Sequence, residues 1–484
     1  MTETKISDLL IVGCGVAGLS AAVTALQAGL SVTLLERADA ENFGGNSRWT
    51  EAYMRMKNDA EIADDFEEHF AENAGWNIDH NVLDALGRSY EDWPANVRAH
   101  SLPDPEVIST FAGQVPETLD WLKGLGLSFG PQPIYLLTQN TSRIAAMGGG
   151  LGIITRLMEE AQALGAEVLY RTTATDLLRG PDGTVCGVQA NGPEGTVRDI
   201  PAKAVVLASG GYQGNPEMMT RYIGPKARHI RPVAPGGYYN RGEGIRMALD
   251  HGAAPAGEFG SYHAEPVDPR SRQPEAVVFI YPYGILVNRD GRRFADEAPG
   301  TVDAHYDNIG RSFADQPDGI AWVIFDAQVE DIPRWKTAIR SDVPPVEAAS
   351  IEALAAAIGL DPAALAGTVD DFNAACPGDD GGFDPFALDH RRAALTPPKS
   401  HWSRPIVKAP FRAYPIISSN CFTFGGLKTD PSARVIDVDG KIVPGLYAAG
   451  ETQGIYHRVY TGSTSVLRGL VFGRQAGRHA AGLN

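Results

Sequence analysis

The opening of the chain dictates its architecture. Asp8-Leu9-Leu10-Ile11-Val12 is an apolar run of strand length, and it leads directly into Gly13-Cys14-Gly15-Val16-Ala17-Gly18. An apolar stretch of helical length follows and stops at Ala28-Gly29, where glycine suits a helix C-terminus. A second strand, Ser31–Leu35, ends in Glu36, 18 residues past Gly18. Strand, GxGxxG, helix, strand and acid in this order predict a βαβ unit that cradles a dinucleotide. Gly13 permits the tight turn, Gly15 lets backbone amides reach a pyrophosphate, and Gly18 lets helix and strand pack closely. Val16 and Ala17 open the helix, whose N-terminus stabilises phosphate charge, and Glu36 is placed to accept from ribose hydroxyls. An ordinary glycine turn would not carry the whole pattern.

Composition narrows the rest. With 484 residues, 43% hydrophobic and 21% charged, the chain has the make-up of a folded protein of two large or three average domains. A formal net charge of −17 makes nucleic acid or an anionic membrane a poor partner. Cys14, Cys186, Cys376 and Cys421 are scattered without a CxxC, which excludes a haem-c motif, a cysteine zinc cluster and a disulfide framework, and no metal is expected. The start MTETKISD has no basic leader, and no run of 18 apolar residues occurs, so a cytoplasmic protein without a membrane span is expected.

Further motifs follow in order. Asn42-Phe43-Gly44-Gly45-Asn46-Ser47 is a glycine turn after Glu36-Arg37, and Ala204–Leu207 is a buried strand ending in Ala208-Ser209-Gly210-Gly211. Asn240-Arg241-Gly242-Glu243-Gly244 opens a helical pattern, Gly445–Ala449 leads to Gly450-Glu451, and Tyr460-Thr461-Gly462-Ser463-Thr464-Ser465-Val466 precedes a final helix. In sequence order these resemble the flavoproteins of the fumarate reductase/succinate dehydrogenase family over nearly the whole chain. The resemblance implies FAD, held non-covalently because no His occupies the covalent position near Asn46-Ser47. It implies cofactor contacts from Gly13 to Gly18, from Glu36 and Arg37, from Gly44 to Ser47, and from Gly149, Gly150 and Ala174. Ala208, Ser209, Gly210, Gly450, Glu451, Ser463, Ser465 and Val466 complete that set.

The same resemblance directs attention to the chemistry. Of the family's four polar substrate anchors, His263 matches one; Thr301, Phe422 and Tyr460 stand where two Arg and a second His would be, so simple fumarate reduction is not expected. The pattern is closer to tricarballylate dehydrogenase-like and 3-ketosteroid dehydrogenase-like members. Tyr460 is the leading candidate, as oxyanion donor or base beside the amides of Ser463 and Thr464; the bland reading is a buried phenol with a satisfied hydroxyl. His263 is a substrate anchor or a histidine bonded to its own loop. Tyr283, with Tyr281, presents a phenol or packs in a strand core, and Arg458 grips a carboxylate or is solvated.

The expected fold is α/β, a discontinuous Rossmann-like FAD domain (1–235 and 396–484) with an inserted α+β cap (236–395). Helices are expected over Asp84–Trp93 and Val115–Leu127, after the Met147–Gly152 turn, and through most of 342–395. Asp182-Gly183, Asp290-Gly291 and Asp439-Gly440 mark the turns of a β-meander. The expected activity is desaturation, or in reverse reduction, of a carbon–carbon bond beside the carbonyl or carboxylate of a small oxo- or carboxylic acid. Alternatives are a 3-ketosteroid-type dehydrogenase, a flavin monooxygenase and a non-catalytic flavoprotein. No second GxGxxG follows a strand, so the electron acceptor is a quinone, a partner protein or oxygen rather than a built-in NAD(P)H domain.

Overall fold

A computed structural model describes residues 6–483 apart from 75–81, 83, 86, 102–103, 132–134, 140 and 379–380. Strand β1 (Ser7–Val12) is almost wholly buried, and helix α1 (Val16–Gln27) returns the chain to β2 (Val32–Leu35), which pairs parallel with β1 at Leu10↔Thr33. Helix α2 (Pro105–Gly124) is capped by Asp104, whose carboxylate accepts from the Glu106 and Val107 amides. Helix α3 (Gly149–Ala163) leads to β3 (Glu167–Leu169), parallel to β2. The hairpin β4 (Thr173–Arg179)–β5 (Val185–Asn191) turns at Asp182-Gly183 and joins β6 (Val197–Leu207), which lies parallel to β1.

A second sheet follows. Strands β7 (Tyr262–Val267) and β9 (Ile320–Phe325) pair with the 13-residue strand β10 (Phe411–Thr423), β8 (Ile285–Asn288) pairs with β9, and helix α4 (Val302–Ser312) packs on β7. β10 pairs antiparallel with both β7 and β9 and is buried nearly throughout, so the second sheet is built around it. The sequence division places β10 in the C-terminal segment; its hydrogen bonds are with strands of the inserted region and with Arg231–Pro232 of the first segment. The chain then returns through β11 (Arg434–Ile436) and β12 (Ile442–Ala448) to the first sheet, whose order is β11-β12-β6-β1-β2-β3. Helix α5 (Ser465–Ala480) packs on α1.

Three expectations change. The Asp-Gly turns all form, but two belong to the first sheet and Asp290-Gly291 to the second, so they do not mark one meander. Of the segment Asp84–Trp93, residue 86 lies outside the described residues, and beyond it only a 3-10 turn, Tyr90–Asp92, is helical. Between 342 and 395 the helices Ile351–Ile358 and Pro362–Ala375 form, while described residues past Cys376 are irregular.

Small residues hold α1 between the sheet and α5. A Cβ on Gly18 would lie 1.9 Å from the carbonyl oxygen of Gly13, and one on Gly473 would lie 2.3 Å from that of Ala17. Backbone atoms cannot yield as a side chain can, so Gly473→Ala should cost about 1–3 kcal/mol of stability by overpacking. Gly113 on α2 meets nothing within 4 Å, and Gly113→Ala should gain up to about 1 kcal/mol from helix propensity. Thermal unfolding midpoints of the two variants should move in opposite directions.

Candidate active site

One cavity runs from the glycine loop to the underside of the second sheet. Its first end is a dinucleotide cradle. Gly13 adopts φ +108°, and a Cβ there would sit 2.4 Å from the Ala208 carbonyl oxygen, so only glycine leaves this approach open. Gly15 is the N-cap of α1 and brings no capping side chain, which leaves the first turn's dipole facing the cavity. The Ser47 hydroxyl accepts from the Val16 amide at 3.2 Å, and Asn46 Nδ2 donates to the Cys421 carbonyl at 2.6 Å, joining the Gly-Gly-Asn-Ser turn to α1 and to the second sheet.

Glu36 is only 5% exposed. Its carboxylate accepts from the amides of Cys14 (3.3 Å), Ala38 (2.9 Å) and Gly44 (3.4 Å). Burial pushes its pKa up, and the three amides pull it back. Arg37 turns aside to the Tyr239 carbonyl (2.6 Å) and the Glu243 carboxylate (2.5 Å) at the cavity's edge. Ala17, Gly45, Ala174, Ala208, Ser209, Gly210, Gly450, Glu451, Ser463, Ser465 and Val466 also line the cavity. Three residues expected as cofactor contacts do not line it. Gly18 is spent on packing against Gly13, while Gly149 and Gly150 seat α3 against the 45–50 turn, with a Gly150 Cβ falling 2.0 Å from the Ser47 carbonyl oxygen.

The other end is aromatic. The rings of His263 and Tyr460 lie 4.3 Å apart, with Phe422 at 5.2 Å from His263 and 5.0 Å from Tyr460. A register shift in β7 between His263 and Ala264 accompanies the pairing of His263 with Phe422. Asp307, buried on α4, accepts from the Ala264 amide (2.7 Å) and the Tyr460 amide (3.4 Å), so one carboxylate fixes both chains that carry these rings. His263 Nε2 shares a hydrogen bond with Tyr306 Oη at 2.9 Å. Burial, with Arg311 nearby, drives the His263 pKa down to about 3, so the imidazole is neutral.

Tyr460 Oη accepts from the Thr464 and Ser465 amides, each at 3.0 Å, and donates to Ser465 Oγ at 3.1 Å. The amides facing the phenol are therefore those of 464 and 465 rather than 463 and 464, and they bond to the phenol itself. Tyr283 and Arg458 do not reach the cavity. The Tyr283 hydroxyl donates to the Pro385 carbonyl and its ring packs on Trp402, while Arg458 is an exposed residue whose carbonyl accepts from Arg311. Both are corrections, since chain position alone did not show which way these side chains leave the 3-10 turn Tyr281–Tyr283 and the loop at 458.

Sequence reasoning missed several residues. A side chamber of about 40 Å³ opens between Tyr53, Tyr135, Arg143, Glu265, Phe279 and Tyr306. Arg143 is buried there, with Nε on Ser463 Oγ at 2.5 Å, an ion pair to Asp303, and Nη1 without a partner. Arg340 bonds Glu275 (3.1 Å) and Glu51 (2.7 Å). His263, Glu265 and Cys421 bring possible ligand atoms within 4.8 Å of one another, but burial pushes both the carboxyl and the thiol toward protonation, which suits hydrogen bonding better than ligation. Glu265 stands two residues from His263 on one strand, a spacing legible in the sequence; nothing local marks Arg143.

A glycine cradle, a helix terminus without a capping side chain of its own and a buried acid define a dinucleotide-binding site with a second sheet over the cavity. The profile of the family described as the FAD binding domain matches residues 8–467, and the chain belongs to that family; FAD is the cofactor the cradle fits. It is 27% identical to the vinyl phenol reductase of Lactiplantibacillus plantarum, over 98% of this chain and 96% of that protein. It is 29% identical to the NADH:acrylate oxidoreductase of Vibrio harveyi, over 98% of this chain and 50% of that protein, so it spans about half of that relative's length. The open conformation of a flavocytochrome c3 fumarate reductase shares the fold at a TM-score of 0.72 and 24% identity, covering 100% of this chain and 79% of that one. Among the described residues no helix is long and apolar enough to cross a membrane.

Glu36→Ala should leave three buried amides without their acceptor, at about 1–3 kcal/mol for each unsatisfied group. The flavin-to-protein absorbance ratio after purification should fall well below that of the wild type. Glu36→Gln, which keeps an acceptor oxygen, should fall less.

Proposed function

We propose that this protein is an FAD-dependent oxidoreductase that removes hydrogen from, or adds it to, a carbon–carbon bond beside the carbonyl or carboxylate of a small oxo- or carboxylic acid. The observation that carries the reading is the contact of Tyr460 with His263, tilted rings 4.3 Å apart, in the same cavity as the dinucleotide cradle. When bound, FAD supplies hydride transfer at N5. The protein's part is to hold a carbonyl oxygen where charge builds up as the neighbouring carbon exchanges a proton. Two amides on the Tyr460 oxygen polarise its O–H, which turns from Ser465 Oγ toward a substrate oxygen. Neutral His263, oriented by Tyr306, is a hydrogen-bonding wall and not a cation.

Charge and size support a small substrate. Arg143, Arg311 and Arg340 each meet a carboxylate, from Asp303, Asp307 and Glu275 respectively. These three guanidiniums are neutralised in place, while the buried, cavity-lining Arg468 bonds the Gln453 carbonyl and lies over two aromatic rings. The side chamber has room for about three waters, which suits a small polar group of the substrate. Relatives named for acrylate and vinyl phenol act on compact alkenes. The electron acceptor is a quinone, a partner protein or oxygen, and the four free cysteines suit a reducing cytoplasm.

Acid precipitation should release the flavin into the supernatant, since no His stands at Asn46-Ser47 to hold it; yellow colour left on the pellet would refute non-covalent binding. Among oxo-acids, enoic acids and ketones tested anaerobically, at least one should bleach or restore the flavin faster than NADH does. Tyr460→Phe should lower that rate roughly a hundred- to a thousandfold. It should also lower the thermal midpoint, because the Thr464 and Ser465 amides lose their acceptor. A variant that turns over at the wild-type rate would make the phenol a packing group.

A further inference from the structure

Proton exchange with a substrate carbon needs a group that faces the cavity, carries an unengaged acidic or basic atom and can hold either charge state. The side chains already described do not supply one. Tyr460 has its oxygen bonded to two amides and its proton on Ser465, and His263 Nε2 is engaged by Tyr306. Glu265 is different. It lines both the main cavity and the side chamber, is 5% exposed, and its Oε2 has no hydrogen-bond partner. β7 carries it two residues beyond His263, beside the Cys421 thiol on β10.

We propose that Glu265 is the catalytic acid–base of this site, giving a proton to the substrate α-carbon in reduction and taking it in desaturation. The assignment rests on the reading of the protein as a carbon–carbon oxidoreductase. In desaturation the α-C–H bond breaks, its proton forms an O–H bond on Glu265, and its electron pair becomes the new double bond. The β-hydrogen leaves with its own pair to the oxidant, bound FAD. In reduction each transfer reverses, and Glu265 ends as carboxylate.

The surroundings let this carboxyl hold either state. Burial raises its pKa to about 7, and the carboxylates of Asp307 and Glu51 add to the rise. Glu275 lies near enough that Glu265 raises its pKa in turn. Arg340 and the Cys421 thiol oppose the rise, while Tyr135 and Tyr306 are held protonated by burial. His263 stays neutral and Arg143 is paired with Asp303. Arg340 beside this group pairs with both Glu275 and the half-exposed Glu51.

The test uses the purified flavoprotein, wild type and Glu265→Gln, with Glu265→Asp as the conservative variant. Difference infrared spectra between pH 6 and 8 should show a protonated-carboxyl band in the wild type with its midpoint at about 7, and Glu265→Gln should lack it. Protein reduced with one equivalent of dithionite is then mixed with acrylate, fumarate, urocanate or vinyl phenol. Glu265→Gln should slow flavin reoxidation by the effective probe at least about a hundredfold, and Glu265→Asp should restore part of the rate. The wild-type rate should fall as pH rises through about 7, because the donor loses its proton, and Glu265→Gln should lose that dependence. A Glu265→Gln protein that keeps the titrating band, or keeps the rate, overturns the assignment alone. A wild type that none of the four probes reoxidises overturns the reading of function and the assignment with it.

Discussion

Three backbone amides meeting the buried carboxylate of Glu36 are the constraint on which the rest of the structure depends. Cys14 belongs to the glycine loop, Ala38 follows β2, and Gly44 opens the Gly-Gly-Asn-Ser turn. A carboxylate taken out of water is costly, and several charge-assisted hydrogen bonds are what make its burial tolerable. Those bonds tie the glycine loop, the end of β2 and the Gly-Gly-Asn-Ser turn to one point. Ser47 then reaches the start of α1 and Asn46 reaches β10, so the geometry set at one acid extends to both sheets.

A second carboxylate closes the structure from the far side. Glu451 accepts from the Thr423 amide at 2.8 Å, from Asn240 Nδ2 at 2.9 Å and from Gln213 Nε2 at 3.3 Å. Thr423 ends β10 while Gly450 follows β12, so this one side chain ties the second sheet to the first beside the cavity. Beneath it Arg468 lies over the Tyr456 ring at 4.7 Å and the Phe422 ring at 5.4 Å. The floor of the cavity is thus held by buried polar groups whose partners are all supplied from other elements, an arrangement that resists small shifts because any displacement breaks several bonds at once.

At the aromatic end of the cavity the same principle sets the geometry. Asp307 draws the β7 bulge and the Tyr460 segment together, which sets the phenol against the imidazole. The start of α5 spends two of its amides on the phenol oxygen. Burial keeps the imidazole neutral while it brings Glu265 into the range where a proton can come and go. Opposite shifts from one cause follow from the charge type, since low dielectric penalises the imidazolium and the carboxylate alike.

The chain order by itself determined the βαβ cradle, because Gly13, Gly15, Gly18 and Glu36 act within 24 residues and their roles are set by local backbone geometry. It also marked Tyr460 and His263, through motifs that keep their order around the cofactor. Only the tertiary structure decided that β10 belongs to the second sheet, since strand pairing across more than 80 residues leaves no local periodic trace. It alone turned Tyr283 and Arg458 away from the cavity, and spent Gly149 and Gly150 on packing. Arg143 and Glu275 come from segments with no motif, and they reach the site because buried charge must find its partners in space, wherever the chain has placed them.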